Sequence, residues 1–68
     1  MNVGKNVRKY REESGLDQTE LASKAGITQM MISHIETGRK IPSVAVLADT
    51  AKALNCTMDD IVEIVLEK

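Results

Sequence analysis

Apolar residues recur along the chain at intervals of three and four, and no strand-like alternation is sustained before residue 60, so the pattern predicts helices. The stripe is cleanest at Val44, Leu47, Ala48, Ala51 and Leu54, one face of a helix. Gly15, Gly26 and Gly38 follow runs ending at Ser14, Ala25 and Thr37, where a helix end favours a residue that tolerates positive φ. Asn55 can close the preceding run in the same way. Asp17 with Glu20, and Thr57 with Asp60, have the spacing of capping boxes. Thr28 and Ser43 suit N-caps, and Pro42 stands just before Ser43, where no helix has begun. Five helices are predicted, at about 4–14, 18–25, 29–37, 44–54 and 58–65. The β-branched run from Ile61 to Leu66 can finish as helix or as extended chain. The expected architecture is one compact all-α domain over residues 1–68.

Composition narrows the function. A chain of 68 residues buries one small core, and it offers no nucleophile–base pair or phosphate-binding loop, so no enzyme is expected. Tyr10 is its only aromatic residue, which excludes a stacking platform for single-stranded nucleic acid. A single cysteine, Cys56, rules out an internal disulfide and a multi-cysteine zinc site and suits a reducing compartment. His34 has no second histidine to join it, so neither a metal nor a cofactor is expected. Asp59 and Asp60 fall in the first turn of the last helix, where the helix dipole accounts for them. No run approaches the roughly 20 apolar residues of a membrane span, which points to the cytoplasm and away from a membrane.

The net charge of −1 argues against coating nucleic acid by charge alone. It conceals an asymmetry, however. Residues 1–40 carry seven basic and five acidic side chains, a net +2, whereas residues 41–68 carry two and five, a net −3. An anionic partner is expected for the first part.

The stretch Gln18–Thr37 reads as two short helices joined at Gly26. Leu21, Ala25, Ile27, Ile32 and Ile35 supply contacts between them, and Ala22 keeps the helices close. At about 100° per residue, Ile32 and Ile35 mark the buried side of 29–37. Met30, Ser33, His34 and Thr37 fall opposite, with Gln29 and Met31 on the flanks. An outer helix face usually carries Glu, Lys and Arg, but this one is short, uncharged and partly apolar, as suits a surface that touches base edges in a groove.

These residues resemble the helix-turn-helix of the Cro/repressor family, also called the xenobiotic-response-element type. The likeness extends to Arg11, to Glu36-Thr37-Gly38-Arg39, to Ile41-Pro42-Ser43 and to Leu47, Ala51 and Leu54, about residues 3–63 in all. It implies a five-helix, lambda-repressor-like fold that binds specific sequences of double-stranded DNA as a dimer. It also implies base contacts from Gln29, Met30 and His34, supported by Thr28 and Ser33. Gln18 would buttress Gln29 and reach a phosphate, with Thr37, Arg39, Lys40 and the first amides of helices 2 and 3 on the DNA backbone. Arg11 and Glu36 would form a structural ion pair. Tyr10, Thr50, Met30 and Met31 depart from the family's commoner residues at their positions.

Ile61 is needed against the core, but Val62, Ile64, Val65 and Leu66 exceed what one short helix buries. Segment 58–68 is therefore expected to supply a homodimer interface. The leading reading is a repressor on a palindromic operator, inserting helix 29–37 in the major groove and answering to its own concentration or to a protein co-regulator. The alternative is an antitoxin-like protein-interaction module whose acidic second half binds a partner, with DNA binding secondary.

Overall fold

The computed structural model describes residues 3–62, and every regular element among them is a helix: α1 (Val3–Glu13), α2 (Gln18–Ala25), α3 (Gln29–Glu36), α4 (Val44–Ala53) and α5 (Met58–Val62). The first four match the expected segments to within one residue at each end. The expected continuation of the fifth to residue 65, and the choice there between helix and extended chain, lie outside the described residues.

Local chemistry sets the boundaries. At the start of α2, the Asp17 carboxylate accepts from the Glu20 amide at 2.7 Å while the Glu20 carboxylate accepts from the Asp17 amide at 2.9 Å, a complete capping box. Thr57 and Asp60 exchange the same two bonds ahead of α5. Thr28 and Ser43 cap α3 and α4 by accepting from the amides of Met31 and Val46.

The ends of α1 to α4 repeat one device. A residue in the left-handed conformation, successively Gly15, Gly26, Gly38 and Asn55, turns the chain back. Its own amide and the next one then donate to carbonyls of the last turn, as Gly38 does to Ile35 and Arg39 to His34. Each helix therefore stops sharply, and the following residues leave in a defined direction.

The helices enclose one apolar cluster, with Val7, Leu21, Ile32, Ile35 and Ile61 at its centre. Helix α2 packs on α3 and α4, α1 packs on α3 and α5, and α4 packs on α5. Thr50 is also buried there, and its hydroxyl donates to the Val46 carbonyl at 2.8 Å, so this buried polar side chain is satisfied within its own helix. Tyr10 packs half-buried against the cluster. One member of the expected α4 stripe is corrected. Val44, in the first turn of α4, is 71 % exposed because no neighbouring element covers it there, whereas Leu47, Ala51 and Leu54 are buried.

Two features fix α1 against the end of α3. A side chain at Gly4 would overlap the Ile35 carbonyl oxygen and lie 2.8 Å from that of Glu36, so only glycine lets α1 approach the end of α3. Further along α1, Arg11 grips Glu36 through Nε at 2.6 Å and Nη2 at 3.1 Å, and its Nη1 donates to the Leu16 carbonyl at 2.9 Å. The Arg11 and Glu36 side chains are only 12 % and 4 % exposed.

Gly4→Ala is expected to lower unfolding stability by about 1–3 kcal/mol through overpacking, although the same change in an open helix raises it by about 0.5–1 kcal/mol. Urea denaturation checks the sign, and a stabilised variant would contradict the close approach. Arg11→Met should cost about 3–5 kcal/mol by stranding a buried carboxylate. Arg11→Met with Glu36→Leu should cost less than Arg11→Met alone; additive losses would show that the two charges do not depend on each other.

Candidate nucleic-acid interface

The tight turn at Gly26 sets α3 across α2. Ile32 and Ile35 of α3 are buried, as their spacing requires, while Gln29 and Met30 are exposed, Met30 by 63 %. The outward strip is narrower than helical arithmetic suggests. Ser33 and His34 are half-buried, and Met31 packs partly against the core. The reason is tertiary: α3 has only eight residues and is flanked by both α1 and α2, which cover its sides. Gln29 and Met30 thus stand out from the helix, and Ser33 and His34 are more recessed.

Gln18 and Gln29, eleven positions apart, are brought into direct contact. Gln29 Nε2 donates to Gln18 Oε1 at 2.6 Å, and Gln18 Nε2 donates to Glu36 Oε1 at 3.0 Å. The ion pair of Arg11 and Glu36 and the two glutamines therefore form one unbroken series from the interior to the exposed start of α3. The bond from Gln18 to Glu36 is the part that sequence reading missed. Glu36 stands out there only as Arg11's partner, and Gln18 and Glu36 lie on different helices, so helical periodicity says nothing about their contact. Within the series, the hydrogen bonds that Arg11 donates to the Glu36 carboxylate, together with that carboxylate's charge, hold the Arg11 pKa above its usual value, against the opposing effect of burial.

The chain leaving α3 carries Arg39 and Lys40, both exposed and neither in an ion pair among the described residues. Their amides both donate to the His34 carbonyl, at 2.8 and 3.2 Å, which fixes where the two side chains begin. Charges on α1 are more committed. Arg8 pairs with Glu12 at 3.1 Å, and the Lys9 ammonium lies 5.7 Å from the centre of the Tyr10 ring. Thr37 is exposed, but its hydroxyl donates to the Ser33 carbonyl at 2.9 Å and would have to turn away to meet a phosphate, which can only accept. The Thr28 oxygen is engaged by the Met31 amide, leaving its hydroxyl proton available. Likewise the amide of Glu20 is taken by Asp17, so α2 offers the earlier amides of Gln18 and Thr19 rather than that one.

Of the residues expected at a dimer interface, Val62 is half-buried against the core, and Ile64, Val65 and Leu66 lie outside the described residues. Ile41 and Val44 are exposed apolar side chains, by 82 % and 71 %; Val44 belongs to the expected α4 stripe, whereas Ile41 stands outside the helical pattern. Cys56 is half-buried, and burial, with a smaller effect of the Asp60 charge, pushes its thiol pKa up, away from the reactive thiolate. No group of three His, Cys, Asp or Glu side chains among the described residues could hold a metal ion, and no helix among them is long and apolar enough to cross a membrane.

Comparison with known proteins agrees with this arrangement. Residues 7–61 match the helix-turn-helix family model. The HTH-type transcriptional regulator y4dJ of Sinorhizobium fredii is 37 % identical over 60 residues, covering 88 % of this chain and 78 % of that protein. The N-terminal DNA-binding domain of SinR from Bacillus subtilis superposes with a TM-score of 0.86 at 29 % identity, covering 96 % of each chain. The P22 c2 repressor in complex with a synthetic operator superposes with a TM-score of 0.84 at 26 % identity, covering 90 % of this chain and 92 % of that one. These relatives are DNA-binding regulators and repressors rather than enzymes. With its capped helix pair, its outward glutamine and these relatives, the chain belongs to the helix-turn-helix family of DNA-binding transcriptional regulators.

Proposed function

We propose that the protein is a sequence-specific repressor that binds a palindromic operator as a homodimer, with α3 in the major groove. The observation that carries this reading is the Gln18–Gln29 pair, which holds an amide at the exposed start of α3 beside Met30. An amide so placed suits the N6 and N7 edge of adenine, and an outward Met suits a thymine methyl group. His34 and Ser33 lie deeper along the same strip and serve bases that approach it directly, while the Thr28 hydroxyl supports the near end. Arg39, Lys40 and the second Gln18 amide proton meet phosphates, which set register rather than sequence. Thr37 joins them only by releasing its helix carbonyl.

Few phosphate contacts are available to each subunit, so useful affinity calls for two reading heads about one turn of DNA apart. The exposed apolar side chains of Ile41 and Val44 support a second copy at the surface, together with the sequence of segment 58–68. On this reading the protein works in the cytoplasm with its DNA, and its occupancy of the operator follows its own concentration or a co-regulator.

Selection from a random duplex pool, followed by anisotropy titration, tests the reading. Gln29→Ala is expected to relax preference at one base pair by about 1–3 kcal/mol. Arg39→Ala should weaken all sequences about equally and reduce the salt slope by about 1. An unchanged base profile in Gln29→Ala and Met30→Ala would remove α3 from base reading. Failure of the folded protein to bind any duplex would favour a protein-interaction module. Sedimentation of the complex should give two protein chains per operator, and a one-to-one complex at saturation would contradict the dimer.

A further inference from the structure

We propose that Glu36 is a positioning residue for base selection: its buried carboxylate dictates, through Gln18, which atoms of Gln29 face the DNA. The inference rests on the reading that Gln29 contacts a base. A glutamine amide presents a donor end and an acceptor end of nearly equal size, and an exposed one can turn either way. Its choice decides what it can read. Oxygen and one N–H outward complement adenine, whose N6 donates and N7 accepts, whereas two N–H groups outward complement guanine, whose N7 and O6 both accept.

The hydrogen-bond series removes that freedom one residue at a time. Both oxygens of Glu36 accept from Arg11, so its side chain is held in place, and Oε1 has acceptor capacity left over. A carboxylate has no proton to give, so Gln18 must turn Nε2 towards it, as it does at 3.0 Å. Oε1 of Gln18 then points the other way and can only accept, which obliges Gln29 to offer Nε2, at 2.6 Å. One amide proton of Gln29 is consumed, and its Oε1 and remaining N–H are left for the groove. The polarity at the surface thus originates in a charge 4 % exposed on the far side of Gln18. No other arrangement of donors and acceptors satisfies all three links.

Glu36→Gln tests this, because an amide at position 36 accepts with one end and donates with the other, and no longer dictates the direction of Gln18. In selection from a random duplex pool, the variant should lose adenine-over-guanine preference at the Gln29 base pair by on the order of 10-fold, with preferences at the pairs read by Met30 and His34 retained. A uniform loss of affinity with an unchanged base profile would overturn the proposal and leave Glu36 a purely structural partner of Arg11. Gln29→Ala run in parallel separates the two levels. If it alters the profile while Glu36→Gln does not, base reading by Gln29 stands and the proposal fails; if it alters nothing, both fall.

Should Glu36→Gln fail to fold, the parent protein carries the test. In side-chain amide NMR spectra without DNA, Gln18 and Gln29 should each show one Nε2 proton protected from exchange, with Gln18 Nε2 close to the Arg11 guanidinium protons. Amide protons that exchange as freely as those of an exposed glutamine would overturn the series.

Discussion

The buried pair of Arg11 and Glu36 is the constraint on which the rest of the site depends. Two opposite charges are withdrawn from water, and their attraction alone does not guarantee a net gain over apolar residues of similar volume. What the pair supplies is definition. Arg11 reaches three acceptors in two directions, the two oxygens of Glu36 at the end of α3 and the carbonyl of Leu16 in the turn before α2. A single planar guanidinium therefore ties the helix-turn-helix at both extremities to α1. An ammonium could not match that geometry, because it lacks the rigid fork that meets two carboxylate oxygens at once.

Around this anchor, backbone chemistry does the aiming. Gly4 permits α1 to lie against the carbonyls that close α3, and the left-handed Gly38 turns the chain so that Arg39 and Lys40 follow at once. Helix α3 is short, capped at its start by Thr28 and stopped by the turn at Gly38. Little of it is left free to fray. Interior, cap and exposed strip are thus parts of one assembly, and the placement of an outward side chain such as Met30 depends on residues beneath it.

Much of this was legible in the residues themselves. Asp17 with Glu20, and Thr57 with Asp60, carry their capping bonds within four positions, and a local bond needs no tertiary knowledge. Gly15, Gly26, Gly38 and Asn55 likewise announce helix ends through backbone conformations that few residues accept. The glutamine pair and the ion pair became legible through family likeness, since nothing in their spacing brings positions 11, 18, 29 and 36 together. Other features had no local signal. Gly4 looks like an ordinary weak helix residue until α3 is placed against it. Val44 fits the apolar stripe of α4, yet an apolar side chain is buried only where another element reaches it. The widths of covered and open strips on α3 depend on where α1 and α2 lie, which periodicity cannot supply for a helix of eight residues.

The most direct test of the central claim is a map of the DNA-bound surface, obtained by titrating the selected operator duplex into isotopically labelled protein. On this account the largest amide and side-chain shifts fall on Gln18, on residues 28–34 and on Arg39 and Lys40, with the α4–α5 surface changing least. Shifts concentrated on α4 and α5, with Gln29 and Met30 unmoved at saturation, would contradict it.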